Sequence, residues 1–295
     1  MNGVIIIDKP AGLTSHDVVN RVRRILGQRS VGHLGTLDPA ATGVLPVVVG
    51  NLTRLAQFYL HSEKMYEGAI RFGFATDTYD AEGEPSTAQQ EVTLNTDEIS
   101  RLATQFRGTI EQMPPPYSAK KIAGVPAYKL ARKKLEVALK PVQVEVNSFE
   151  ILEVSGDQAI FRARVSAGTY LRSIAHDLGQ RQGCGAHLRT LRRTAVAEFT
   201  IEDAHSLSEL EAAKQQGSVE SLFVHPRKLV PQLPCVTANE QSAALIRSGR
   251  AVNLPEMSQA PQVKVFYGQR DLIAIATRIA GTLFHPRIVF PNSVM

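Results

Sequence analysis

The segment Val31–Gly43, VGHLGTLDPAATG, holds one carboxylate, Asp38, among three glycines and a proline, with His33 five residues before it. Neither an amphipathic helix nor a pleated strand is built from such a composition. Gly32, Gly35 and Gly43 open backbone shapes closed to other residues, and Pro39 drives Asp38 toward an extended conformation. The stretch is a shaped loop that carries an acid. Taken alone these residues leave two readings open: an Asx-type turn in which Asp38 caps its own backbone, and a loop that presents a functional carboxylate.

On the N-terminal side, GVIIIDKPAG reads as a short buried strand ending at Lys9-Pro10. LTSHDVVNRVRRILG then has a cap at Thr14 or Ser15, apolar positions Val18, Val22 and Ile25, and Gly27 as a stop, which predicts an amphipathic helix. On the C-terminal side, LPVVVG is a buried strand, and YEGAIRFGFATDTYDAEG begins as a strand and ends in an acidic loop. Asp77 to Glu98 contains seven acids and no base, the pattern of a solvated surface loop. NTDEISRLATQFRG predicts a helix closed by Gly108, and TYLRSIAHDLG one stopped by Gly179. Between them lie a Pro-rich and then basic stretch and the strand-like QVEVNSFEIL and QAIFRARVSAG. Capping boxes are expected at Ser206-x-x-Glu209 and Thr237-x-x-Glu240.

At 295 residues the chain is long for one core, so two domains are expected, and 43% hydrophobic residues supply a buried interior. His225–Pro234, HPRKLVPQLP, is the candidate linker. Beyond it, one short helix and the runs QVKVFY, DLIAIATRIA and TLFHPRIVF predict a small barrel-like β domain. The fold class is therefore α+β, with domains at 1–230 and 231–295. A net charge of +5 points to a polyanionic partner. Two cysteines without a CxxC pair support neither a disulfide framework nor a zinc knuckle, and a reducing cytoplasmic compartment is expected. No stretch reads as a signal peptide or a membrane span. GxxxxGK[ST], GxGxxG after a strand, HExxH and GxSxG are all missing from the sequence, so chemistry falls to the side chains, with no cofactor and no metal expected.

GHLGTLDPAATGVLPVVVG resembles the signature loop of the TruB-type tRNA pseudouridine synthases, which isomerise the uridine at position 55 of the T loop. DKPAGLTSHDVV, KMYEGAIRFGFATDTYDAEG, PPPYSAKKIAGVPAYKLAR, and GTYLRSIAHDLG with CGAHLRTLRRT resemble further family motifs in order. The sequence departs from that family at Arg132-Lys133-Lys134, where Arg-x-Gly is frequent, and at Ala197, where many relatives have glycine. The resemblance implies a catalytic domain with a central mixed or antiparallel sheet flanked by helices, and a PUA-like RNA-binding barrel at the C-terminus. It also implies a bacterial, protein-only enzyme: a cytoplasmic monomer whose partner is tRNA, held by the T stem-loop and by the acceptor end through the C-terminal domain.

By the same resemblance Asp38 is the catalytic carboxylate, Tyr66 stacks on the flipped base, Arg172 pairs with the carboxylate, and His33 inserts into the T loop. Lys9, Tyr170 and Leu191 match pocket positions. The basic residues Lys120, Lys121, Lys129, Arg132, Lys133 and Lys134, with Arg189, Arg192 and Arg193, are expected to hold RNA phosphates. Two other functions fit parts of the pattern. One is a non-catalytic RNA-binding or RNA-folding protein on the same scaffold. The other is a glycoside hydrolase pairing Asp38 with Asp77 or Asp80, which the basic clusters and motif order disfavour.

Overall fold

The computed structural model describes residues 1–118, 121–122, 125–126 and 139–290, with the hairpin of β6 (Lys121–Ile122) and β7 (Val125–Pro126) described by its backbone alone. Contacts divide the chain into two compact units. One comprises Met1–Pro39, Gly43–Leu60 and Glu198–Met295; the other comprises Ala40–Thr42 and His61–Ala197.

In the first unit, β1 (Gly3–Lys9) runs antiparallel to β3 (Thr42–Val49), Gly3 opposite Val49 and Lys9 opposite Gly43. Residues 4–7 and 43–49 are buried throughout, so these strands read as continuous apolar runs without a polar alternation. A short strand, β2 (Val31–His33), pairs with β3 so that His33 faces Val47 in register. Helix α1 (Ser15–Leu26) starts at Thr14, whose side chain accepts the Asp17 N–H while the Asp17 carboxylate accepts the Thr14 N–H, and it ends at Gly27 with φ 64. Its buried face, Val18, Val19, Val22 and Leu26, joins Ile5, Ile7, Leu45 and Val47 in one core. Helix α4 (Leu207–Gln216), opened by the expected Ser206–Glu209 capping box, adds Leu207, Leu210 and Ala213 to it.

After a two-residue strand, β11 (Phe199–Thr200), the rest of this unit builds a smaller five-stranded mixed sheet. Its strands β12 (Cys235–Ala238), β13 (Val252–Asn253), β14 (Gln262–Tyr267), β15 (Asp271–Ala280) and β16 (Leu283–Val289) lie in the order 12-14-15-16-13, with 12 and 14 parallel. The last three coincide with the expected strands. Helix α5 (Glu240–Arg247) covers this sheet's core through Ala243 and Ile246. Its cap is Asn239, which accepts the Ser242 N–H at 2.8 Å; Thr237 belongs to β12 and cannot also cap, which corrects the expected box. The segment 225–234, expected as a linker, is packed. Leu229 and Val230 are fully buried, and the Val230 N–H reaches both the Tyr59 hydroxyl at 2.9 Å and the Glu198 carboxylate at 3.0 Å.

In the second unit, β10 (Ala186–Val196), β4 (Lys64–Phe72), β9 (Gln158–Val165), β8 (Val142–Ser155) and β5 (Gly108–Gln112) pair antiparallel in that order. On β9, Ala159, Phe161, Ala163 and Val165 are buried while Ile160, Arg162 and Arg164 are exposed, the period of a sheet with one covered face. Helix α2 (Thr96–Thr104) packs on β8 and α3 (Leu171–Gln182) on β10. Of the surface loop expected over Asp77 to Glu98, residues 81–91 are almost entirely exposed, whereas Thr78, Tyr79 and Asp80 are half-buried and Thr96 already opens α2.

Both helices end elsewhere than expected. Helix α2 stops at Thr104, and Gly108, with φ 88, opens β5 instead of closing the helix. Helix α3 runs past Gly179 and closes at Gly183, with φ 84. Gly179 serves packing: a Cβ there would lie 2.1 Å from the Ala186 nitrogen and 2.4 Å from its Cβ. Helix propensity favours Gly179→Ala by about 1 kcal/mol, but an overpacked backbone contact costs about 1–3 kcal/mol. The variant should therefore be less stable, seen as a lower denaturant midpoint; a rise would show that the strand yields freely.

Candidate active site

The loop carrying Asp38 has no regular structure of its own, so its backbone groups must find partners elsewhere. They do so on both sides of the acid. The Ser15 hydroxyl, 2% exposed, accepts the Leu37 N–H at 2.8 Å and donates to the Leu37 carbonyl at 3.0 Å. The Pro39 carbonyl accepts the Gly12 N–H at 2.9 Å and the Lys9 ammonium at 3.0 Å. Lys9, at the end of β1, is fully buried, and its ammonium also reaches the carbonyls of Pro10 at 2.9 Å and Leu13 at 2.6 Å. Three donors thus meet three acceptors, which satisfies a buried ammonium. Upstream, Leu34 is buried and donates its N–H to the Pro46 carbonyl, and Gly35, at φ 115, makes a bend that a side chain resists. Asp38 and His33 are half-buried. Asp38, His33 and Lys9 all belong to the first unit.

The second unit holds Tyr66, Tyr170, Arg172 and Leu191. Tyr66, 7% exposed, sits on β4 opposite Ala163 on one side and Arg193 on the other. Leu191, half-buried on β10, faces Gly68 in register. Tyr170 stands just before α3. Its N–H donates to the Gln112 side chain at 2.8 Å and its carbonyl accepts from the same buried amide at 3.0 Å. Arg172, in the first turn of α3, is buried and reaches across to three places. Its guanidinium lies 3.4 Å from the Asp80 carboxylate and donates to the Thr78 carbonyl at 3.2 Å and the Tyr117 carbonyl at 3.0 Å.

Asp80 as a partner of Arg172 was not foreseen from the sequence, and neither were the supporting roles of Ser15 and Gln112. The available signal was TDTYD, Thr76 to Asp80, where hydroxyls flank an acid as in Asx and Ser/Thr turns. Thr78 donates to Asp80 Oδ1 at 2.6 Å, and the Glu82 N–H joins at 3.1 Å. Asp77 is exposed and accepts the Glu84 N–H at 2.9 Å. Both acids of the hydrolase reading are engaged in building their own loop.

Of the basic residues, Arg189 is exposed at a bulge of β10, and Arg192 is half-buried and donates to the Thr42 hydroxyl at 3.3 Å. The expectation that Arg193 meets RNA phosphates is corrected. Its side chain is fully buried, and a phosphate-neutralising cation has to reach solvent. Arg193 and burial together depress the Lys64 ammonium to about 8, burial contributing more. Lys120, Lys129, Arg132, Lys133 and Lys134 lie outside the described residues, and Lys121 is described only as part of β6. Among the described residues no cluster of three or more His, Cys, Asp or Glu could hold a metal, and no helix is long and apolar enough to cross a membrane.

Residues 23–171 match the family description "TruB family pseudouridylate synthase (N terminal domain)", and residues 172–230 match "tRNA pseudouridylate synthase B C-terminal domain". A tRNA pseudouridine synthase B of Solibacter usitatus is 48% identical over 292 residues, covering 98% of this chain and 100% of that protein. One of Aquifex aeolicus is 38% identical over 295 residues, with coverage of 98% and 100%. Among solved structures, an H/ACA ribonucleoprotein bound to a substrate RNA containing 2'-deoxyuridine is similar with a TM-score of 0.71 and 26% identity, over 98% of this chain and 84% of that one. A Cbf5-Nop10-Gar1 complex gives a TM-score of 0.70 and 29% identity, over 95% and 79%.

Removing the Ser15 hydroxyl leaves the N–H and carbonyl of Leu37 without their buried partner. Ser15→Ala should lower unfolding free energy by about 1–3 kcal/mol and speed hydrogen exchange at the Leu37 amide. Unchanged exchange there would show that Ser15 does not hold the loop.

Proposed function

The chain belongs to the TruB family of pseudouridylate synthases, and from that premise we propose that it converts the uridine at position 55 in the T loop of tRNA to pseudouridine. It is an enzyme, and its reaction is an isomerisation. The bond from ribose C1′ to uracil N1 breaks, the base turns, C1′ bonds to C5, and the C5 proton leaves to solvent while N1 gains one. Atoms and electrons balance within the substrate, so the reading needs no cofactor.

Asp38 is the group proposed to act on the sugar or base, as a nucleophile or as a fixed negative charge opposite positive charge developing at C1′. The observation that carries this is the double anchoring of its loop, Leu37 to Ser15 and Pro39 to Gly12 and Lys9. A carboxylate between two pinned neighbours needs little reorganisation when charge develops. Lys9, proposed by the resemblance as a pocket residue, also positions the loop through the Pro39 carbonyl. Reaching a stacked uridine requires flipping it out, at a few kcal/mol, and Tyr66 is proposed to receive the flipped ring. His33 is proposed to occupy the place it leaves, Tyr170 and Leu191 to line the pocket, and Arg172, by the family resemblance, to pair with the catalytic carboxylate.

Phosphate contacts are assigned to Arg189 and Arg192 and to the basic stretch Lys120–Lys134. Residues 231–295 are proposed as a PUA-like RNA-binding domain. Its support is a separate five-stranded sheet with its own core and six Lys and Arg against three Asp and Glu. The second family match also ends at residue 230, next to that boundary. The protein is read as a cytoplasmic monomer of the bacterial, protein-only type.

The test uses tRNA with tritium at uridine C5. The wild-type protein should release label to water with no added cofactor, and Asp38→Asn should bind the same tRNA and release none. Release by Asp38→Asn at the wild-type rate would remove Asp38 from the mechanism.

A further inference from the structure

Tyr79 has a φ of 65, a left-handed conformation that a bulky side chain resists. Its surroundings must offset that strain. The Tyr79 N–H reaches the Thr76 carbonyl at 3.3 Å, its carbonyl accepts the Leu188 N–H at 3.0 Å, and its ring lies on the imidazole of His176, with centroids 3.8 Å apart and planes 15° apart. His176 is four residues beyond Arg172 on α3, so the two side chains share a helix face. The residues on either side of Tyr79 are the ones Arg172 holds, Thr78 by its carbonyl and Asp80 by its carboxylate. The loop is thus fastened to one helix face twice, by a cation and, one turn later, by a stacked ring.

One ring nitrogen of His176 takes no part in this arrangement. Its Nδ1 is buried and has no hydrogen-bond partner among the described residues. Burial also pushes its pKa down, toward the neutral ring that stacks as an uncharged surface. We infer that the Tyr79–His176 stack is a positioning element for the reaction: it seats the Asp80 loop on α3 so that the Arg172 guanidinium is held in one orientation. This rests on Arg172 belonging to the pseudouridine-forming site. The left-handed backbone at Tyr79 has a purpose on this view, since it turns the ring back onto the helix.

Four variants of this chain separate the Tyr79 ring, the Tyr79 hydroxyl and the His176 imidazole. Tyr79→Gly relieves the backbone and removes the ring, Tyr79→Phe keeps the ring, His176→Ala removes the platform, and His176→Phe keeps a stackable one. In the tritium-release assay, Tyr79→Gly and His176→Ala should lose kcat by about tenfold, the rate ratio of 1.4 kcal/mol, with KM for tRNA within about twofold of wild type. Both phenylalanine variants should stay within about twofold of wild type. Hydrogen exchange at the Leu188 amide should speed up in the first pair and not in the second. Wild-type kcat in Tyr79→Gly or in His176→Ala would overturn the inference, as would loss of activity in Tyr79→Phe equal to that in Tyr79→Gly. A wild-type protein that releases no label would sink the enzymatic reading, whereas the Leu188 amide reports the stack whether or not turnover occurs.

Discussion

Holding one carboxylate still on a segment with no helix or strand of its own is the constraint from which the first unit can be understood. Its solution is the pair of anchors at Leu37 and Pro39. Each uses a buried polar side chain, Ser15 and Lys9, brought in by a regular element. Burying the Lys9 ammonium costs several kcal/mol unless every donor is met, and the three carbonyls it gathers meet that requirement. Those carbonyls come from both the 10–13 turn and the Asp38 loop, so satisfying the charge also ties the two together. The apolar pair Leu34 and Leu37 draws the same loop inward.

In the second unit α3 has the corresponding part. Its buried face is not an ordinary apolar stripe. Arg172 takes hold of the Asp80 loop and of Tyr117, the Ser173 hydroxyl donates to the Met113 carbonyl at 2.7 Å, and His176 carries Tyr79. Further along that face Gly179 lets the start of β10 come within backbone contact. A helix that gathers two chain segments, 78–80 and 113–117, by polar groups needs close packing to keep those groups in register.

Several misplacements share one cause. A glycine in a helical pattern signals either an end or a close approach, and residues nearby in the chain cannot distinguish them. At Gly179 the neighbour that decides is Ala186, beyond the turn at Gly183–Gly185. Thr237 satisfies the capping pattern as well as Asn239 does, but pairing of β12 with β14 commits it to a strand. Ala197 shows the reverse: its φ of 50 is a left-handed backbone that glycine adopts more easily, and an alanine stands there. The prolines of segment 225–234 suggested a linker, yet the acceptors waiting at Tyr59 and Glu198 turn it into a packed joint around Val230, itself at φ 51.

Short-range order was legible from the residues. Periodicity, caps and β-branched runs act over a handful of positions, which is why α1, the Ser206 cap and the strands β14 to β16 stand where expected. Asp38 was legible for the same reason, as an acid in a loop whose glycines and proline are local facts. Partnership was not. Lys9 and Pro39 are 30 positions apart, and Arg172 and Thr78 are 94 apart. Nothing in a stretch of ten residues records which distant carbonyl a buried cation will meet. Sheet pairing and helix packing set those distances, and they alone decided that Arg193 faces inward, that Arg172 grips Asp80, and that Lys9 braces the loop.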